Sequence, residues 1–271
     1  MAALLGSWIT EAAQPALIIT GGGRSREFTT AALLGRSDTV SLVVEQDVSY
    51  KHSMTYRAVP LLALLGQVRD DRADTVEARA QDGFVAQIPL KLILDAARGG
   101  AVAWLAVEDP AKPWPPLPRR KVSAGPFYLV WDQPQRSSVS SEQWPYALAS
   151  FTLVESPVHR WPQLELPADH SADAAARAGQ KVFFSLCLPC HRLNGGGGGE
   201  MGPDLGRPMN ATQYLTEAGL RAIIRNPRAV RTWPGEQMTG FDAQTLPDAG
   251  LRELLIYLRV MAGDAVAGPH P

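Results

Sequence analysis

The chain has 271 residues, 45% of them hydrophobic and 20% charged, with a formal net charge of -1. That length allows one large globular domain or two ordinary ones. The charge gives no argument for nucleic acid or an anionic membrane surface as partner, and no apolar run reaches the ~18 residues of a spanning helix.

The opening, "MAALLGSWITEAAQPA", has a short apolar piece but no basic stretch before it. It reads as the start of a mature or trimmed chain, or as the remnant of an export signal. Residues 15–155 read as strands with short helices. "ALIIT", "TVSLVVEQ", "GFVAQIPL", "AVAWLAVE", "FYLVW" and "ASFTLVE" are short runs rich in β-branched and aromatic residues, several bounded by Gly, Pro or Asp. "FTTAALLG" and "AVPLLALLG" are expected as short helices closed by Gly35 and Gly66. "IPLKLILDAARGG" reads as a strand end followed by a helix, and the proline-rich "DPAKPWPPLP" as a loop. The following "SPVHRWPQLELPADHSA" is Pro-rich and has no period, which predicts a linker.

From Ala172 the pattern turns helical. Ala175, Gly179, Val182, Phe183 and Leu186 form one stripe. Thr216 is the expected N-cap of a helix carrying Leu220, Ile223 and Ile224, stopped by Pro227. A last helix starts near Pro247, carries Leu251, Leu254, Leu255, Leu258 and Met261 on one face, and ends at Gly263. The expected organisation is an α/β domain over residues 1–160, a linker over 161–171 and an all-α domain over 172–265. Three helices in about 95 residues bury little apolar surface, so another group is expected at the centre of the second domain.

That domain contains the only two cysteines of the chain, in "FSLCLPCHRLNGGGGGEMGPDL". Three chemistries use two cysteines at this spacing. In covalent haem attachment each thiol adds across a vinyl group and the adjacent histidine takes an axial site on iron. A thioredoxin-like redox pair opens a helix after a strand, whereas here a helix precedes the motif and a glycine run follows it. A zinc half-site needs further ligands, and no other cysteine exists. A plain disulfide leaves His191 unexplained. The context favours haem. An electron-carrying haem needs a second axial ligand, and a thioether raises its potential. Met201, Met209, Met238 and Met261 are the candidates. Met261 lies on an apolar helix stripe, and Met201 would have to fold back over the glycine run. Met238, in the extended "WPGEQMTGF" between two helices, is the better choice.

Residues 173–263, about a third of the chain, resemble a class I c-type cytochrome domain, through "AGQKVFFSLCLPCH", "GPDLG", "IRNPRAV", "MTGF" and "LRELLIYLRVMAG" in the family's order. The resemblance implies one covalent haem c on Cys187 and Cys190, with His191 as proximal and Met238 as distal ligand. It also implies that Pro203 supplies the carbonyl that orients the ring of His191, and that Gly179 and Tyr257 mark the crossing of the first and last helices. Trp233 and the arginines between Arg221 and Arg231 are candidates for the haem propionates. The five consecutive glycines are expected to leave the loop near the haem edge mobile. Haem of this kind is attached outside the cytoplasm, which places the expected location in the periplasm.

Residues 15–155 resemble, through "REFTTAALLG", "YRAVPLLALLG", "DGFVAQIPLKLIL" and "AGPFYLVWD", the molybdopterin-binding core of the sulfite oxidase family. That family binds its metal through a cysteine, and none precedes Cys187 here; "PRRK" is a poor substitute for its arginine-rich pterin segment. The resemblance therefore implies a related fold without its cofactor, retained as a docking or ligand-binding module. His52 and Met54 form a weak soft-metal pair, read as an exposed turn. His159 and His170 are expected in solvent, and Trp104, Trp114, Trp131 and Trp144 in the core or on a partner surface. The expected function is single-electron transfer to or from a redox partner protein, with no acid–base or nucleophilic chemistry on this chain. The rivals are a molybdenum-dependent dehydrogenase feeding its own haem, and a haem or metal sensor.

Overall fold

The computed structural model describes residues 15–171, 173–232 and 234–263. Trp233 therefore lies outside the described residues, as do the chain's first fourteen and last eight.

In chain order the first region contains β1 (Ala16–Gly21), β2 (Arg24–Thr29), α1 (Thr30–Leu34), β3 (Val40–Val44), β4 (Met54–Pro60), α2 (Leu61–Leu65), β5 (Thr75–Ala80), β6 (Val85–Pro89), α3 (Leu90–Leu94), β7 (Val102–Val107), β8 (Phe127–Asp132) and β9 (Leu148–Val154). The strands form two sheets, ordered β2-β1-β9-β5-β6 and β3-β4-β7-β8. All neighbours are antiparallel except β1 and β9. The last strand thus enters the middle of the first sheet and closes this region on its own beginning. One hydrophobic core takes Leu17, Val76 and Phe151 from the first sheet and Tyr56, Leu105 and Leu129 from the second. This is the expected mixed α/β region, with helices shorter than the sequence pattern suggested. In "FTTAALLG" the helix waits for Thr29, whose hydroxyl caps it by accepting from Ala32 N–H at 3.2 Å. In "AVPLLALLG" the first three residues belong to β4.

The second region contains α4 (Pro157–Arg160), α5 (Ala174–Val182), α6 (Ala211–Tyr214), α7 (Glu217–Arg225), α8 (Pro227–Val230) and α9 (Asp248–Met261). Asp173 caps α5 by accepting from Ala175 and Ala176 N–H, and Thr216 caps α7. Pro227 ends α7 and also opens the short α8 as its first residue. α5 crosses α9 where Gly179 faces Glu253 and Tyr257 so closely that a Cβ would run into the Glu253 carbonyl. Of the stretch expected as a linker, Leu164 and Leu166 pack in the second core, with Phe183, Leu186, Leu254 and Tyr257. The Leu164 carbonyl accepts from Tyr257 OH and from Gln180 Nε2, both at 2.9 Å. Among the described residues no helix is long and apolar enough to cross a membrane.

Candidate functional site

The two cysteines and His191 are brought together by a departure from helical geometry. After Val182 the helix widens into a π-turn over Phe183–Cys187, with Leu188 N–H donating to Phe183 O at 2.9 Å. Such turns recur at functional sites, and this one ends on Cys187. The chain then folds back, so that the N–H groups of Cys190 and His191 both donate to Cys187 O, at 3.1 and 2.9 Å. Neither cysteine is in a disulfide.

Burial, and then the charges of Cys190 and Glu142, push the Cys187 thiol up to about 12. Burial, with Glu142 and Asp82, likewise pushes Cys190 up to about 12. Thiols used in redox exchange have lowered pKa values. These two stay protonated at neutral pH, which argues against the thioredoxin-like reading.

His191 Nδ1 lies 2.8 Å from Pro203 O. A carbonyl oxygen only accepts, so Nδ1 carries the proton and Nε2 keeps its lone pair. Burial holds the imidazole below its ordinary range, offset in part by the Pro203 contact, so the ring is neutral at pH 7. The return segment is tied down by Gly202 N–H donating to Cys190 O at 2.9 Å, and Gly202 packs so closely against the ring that a Cβ would run into the imidazole.

Met201 Sδ is 3.8 Å from Cys190 Sγ. Met201 directly precedes Gly202, the glycine packed against the His191 ring. Met238 is half-buried in the segment between α8 and α9. The far end of that segment is fixed: Phe241 N–H donates to Ile224 O at 2.9 Å, and Arg225 Nη1 donates to the carbonyls of Phe241, Asp242 and Leu246 at 2.9, 3.1 and 2.6 Å. Arg225 Nη2 also meets Asp248 at 2.6 Å, and Arg221 pairs with Glu217 at 2.6 Å. Both arginines, expected as propionate partners, are thus engaged within the protein.

The glycine run differs from expectation. Instead of a loose loop, it is a close-packed seam. A Cβ at Gly196 would lie 2.9 Å from Leu164 Cγ, and one at Gly199 2.6 Å from the Cys190 carbonyl carbon. Gly198 faces Val85 and Arg79 of the sheet region. Two backbone hydrogen bonds cross beside it, Val85 N–H to Pro189 O at 2.8 Å and Glu200 N–H to Gly83 O at 3.2 Å. The β5–β6 hairpin of the first region therefore sits directly on Pro189, one of the two residues between the cysteines, a neighbour that no local sequence pattern announced. The turn carrying Glu142 packs against the same π-turn, and burial raises the pKa of the Glu142 carboxyl.

The remaining candidates are dispersed. His52 is exposed, with Nδ1 2.8 Å from Ser53 O, while Met54 is buried in the core. His159 is exposed and His170 half-buried beside Asp169. Trp131 and Trp144 are core residues, with Trp131 Nε1 donating to Gln143 O at 2.8 Å. Among the described residues no group of three His, Cys, Asp or Glu side chains is placed to hold a metal.

Residues 174–258 match the family model described as cytochrome C oxidase, cbb3-type, subunit III. Residues 174–258 are thus similar to a cytochrome c-type domain, a class whose work is electron transfer and whose cofactor is haem c. No curated protein matches the chain. A solved structure of the sulfane dehydrogenase SoxCD from Paracoccus pantotrophus overlaps 52% of this chain and 38% of that one, at 17% identity and a TM-score of 0.37. This overlap takes in well under two thirds of that protein, and a superposition this loose does not establish a shared fold.

Proposed function

We propose that this chain is a periplasmic electron carrier. Residues 172–265 hold one covalent haem c, and residues 1–160 dock a redox partner as a relative of the molybdopterin-binding core that has lost its metal. The observation that carries the reading is the geometry of the motif: two unpaired thiols beside an imidazole whose Nδ1 is taken by Pro203. That donor set fits haem c, because thioether formation needs free thiols and axial ligation needs the Nε2 lone pair. Cys187 and Cys190 would carry the macrocycle, His191 would ligate on one face and Met238 on the other, and Trp233 would serve a propionate. When bound, the haem supplies a single-electron couple. The chain's own residues orient it through Pro203, cover its attachment loop with the β5–β6 turn, and fix the Met238 segment through Arg225. The absence of any cysteine among residues 1–186 supports a first domain without a thiolate-bound metal.

Acid-acetone extraction of protein made in a host that attaches haem c should leave one haem per chain on the polypeptide. Its complete passage into the organic phase would overturn the reading.

A further inference from the structure

A cluster of exposed cations lies on the proline-rich loop over residues 109–122. Lys112, Arg119, Arg120 and Lys121 are all exposed there, with Asp109 as the loop's one acid. None of the four cations is ion-paired among the described residues; of the acids beside them, Glu108 accepts from Trp114 N–H at 2.8 Å and Asp109 from Ala111 N–H at 2.9 Å, while Asp82 is exposed near Tyr146. On a chain of net charge -1 this is a local positive patch. It is also a rigid one. Leu117 is buried, and the turn it starts is closed by Leu117 N–H to Val122 O and Arg120 N–H to Leu117 O, both at 2.9 Å. The guanidinium carbon of Arg120 lies 5.6 Å from the Tyr146 ring centroid, within cation–π range. Beside the charges Val122 is 62% exposed, so the patch combines cations with an apolar tip.

The loop is wired to the cysteine motif by backbone alone. Ala147 N–H donates to Ala124 O at 2.9 Å, and Gln81 N–H to Ala147 O at 3.0 Å. The chain from Gln81 runs through the β5–β6 turn to Val85, whose N–H donates to Pro189 O at 2.8 Å. Pro189 is the neighbour of Cys190. These bonds join the loop structurally to the attachment segment, which the β5–β6 turn also covers.

We propose that the 109–122 loop is the docking surface for a redox protein with an acidic face. The proposal rests on the reading of residues 172–265 as a haem-carrying electron carrier and adds where its partner sits and what charge the partner bears. One electron passes between the haem and the partner's own one-electron centre, with no bond made or broken. Positive and negative faces steer such encounters and fix their orientation, and salt weakens them.

A gold electrode coated with a carboxylate-terminated monolayer is the probe of an acidic face. The whole protein should adsorb on it at low ionic strength, read as mass, and give a reversible electrochemical wave; both should fall as salt is added. The triple variant Arg119→Glu, Arg120→Glu, Lys121→Glu should lose adsorption and interfacial rate by on the order of tenfold. The double variant Arg24→Glu, Arg26→Glu, on the exposed strand β2, should match the wild type. The proposal is overturned if the triple variant adsorbs and exchanges electrons normally, or if the β2 variant is the one that loses both. Adsorption is read without haem, so a protein that takes up no haem fails the electron-carrier reading while the loop's charge is still measured.

Discussion

Pro203 takes Nδ1 of His191, Gly202 packs against its ring, and Met201 lies against Cys190. On the proposed reading Met238 is the second ligand of the iron. A soft thioether favours reduced over oxidised iron and keeps the potential high. Met238→His should lower the potential by on the order of a hundred millivolts or more, within the ~0.8 V that axial ligands span. Met238→Ala should open a site that takes up carbon monoxide. In both variants the sulfur-to-iron absorption band at the red end of the oxidised spectrum should vanish. The same changes at Met201, or at the exposed Met209, should leave the band in place. Survival of the band in Met238→Ala together with its loss in Met201→Ala would transfer the ligand to Met201.

Elements carry the site further than residues do, because the Met238 segment has no regular structure and borrows its shape from α7. Arg225 donates to three of its carbonyls, those of Phe241, Asp242 and Leu246, and to Asp248 at the start of α9. On the proposed reading Arg225→Gln should keep the haem, held by Cys187, Cys190 and His191, yet weaken the red-end band and let added imidazole displace the methionine more readily; spectral titration with imidazole reads the change. The motif, the helix caps and the last helix were legible in the sequence, because each rests on residues close together in the chain: Thr216 before its helix, or Leu251, Leu254, Leu255 and Leu258 at helical spacing. Three strands were not. β2, "RSREFT", is an exposed edge strand with no apolar face to betray it. β5, "TVEARA", alternates as a strand should, yet its buried face is mostly alanine and its other face charged. β4 buries Met54, Tyr56 and Ala58 in alternation, but its end runs into a leucine-rich helix whose pattern absorbed it. The glycine run was misjudged for a related reason. What packs against it is Leu164 and a hairpin more than 100 residues earlier, and no local pattern reports a distant neighbour.

At the scale of the whole chain, the question is how firmly the sheets and the cytochrome domain are joined. Arg160, at the end of α4, meets Glu77 of β5 at 2.7 Å, hydrogen-bonds Gln87 of β6, and stacks 4.1 Å above Trp161. Burial alone would raise the Glu77 carboxyl; the Arg160 hydrogen bond and charge, with Gln87 and Arg79, outweigh it and hold the group below the usual glutamate range. Its folded pKa lies below the unfolded value, so the stabilisation is present above the unfolded pKa and is lost as pH falls through the folded one. Glu77→Gln should cost about 1–3 kcal/mol at neutral pH, and the gap to wild type should begin to close below about pH 4; denaturant melts across pH measure it. Beyond Arg160 the chain enters the second core at once. Leu164 and Leu166 are buried there, and Leu164 O is the acceptor for the buried Tyr257 hydroxyl. We therefore expect two cytochrome fragments to behave differently. One beginning at Trp161 should be red and keep its His/Met spectrum. One beginning at residue 171 loses two buried leucines, worth about 1.5–3 kcal/mol each, and strands a buried hydroxyl at about 1–3 kcal/mol more. For a domain this small each kcal/mol moves the melting midpoint by about 4–8 °C, so the shorter fragment should melt on the order of forty degrees lower or fail to fold. Equal midpoints for the two fragments would mean that residues 161–170 add nothing to the second core.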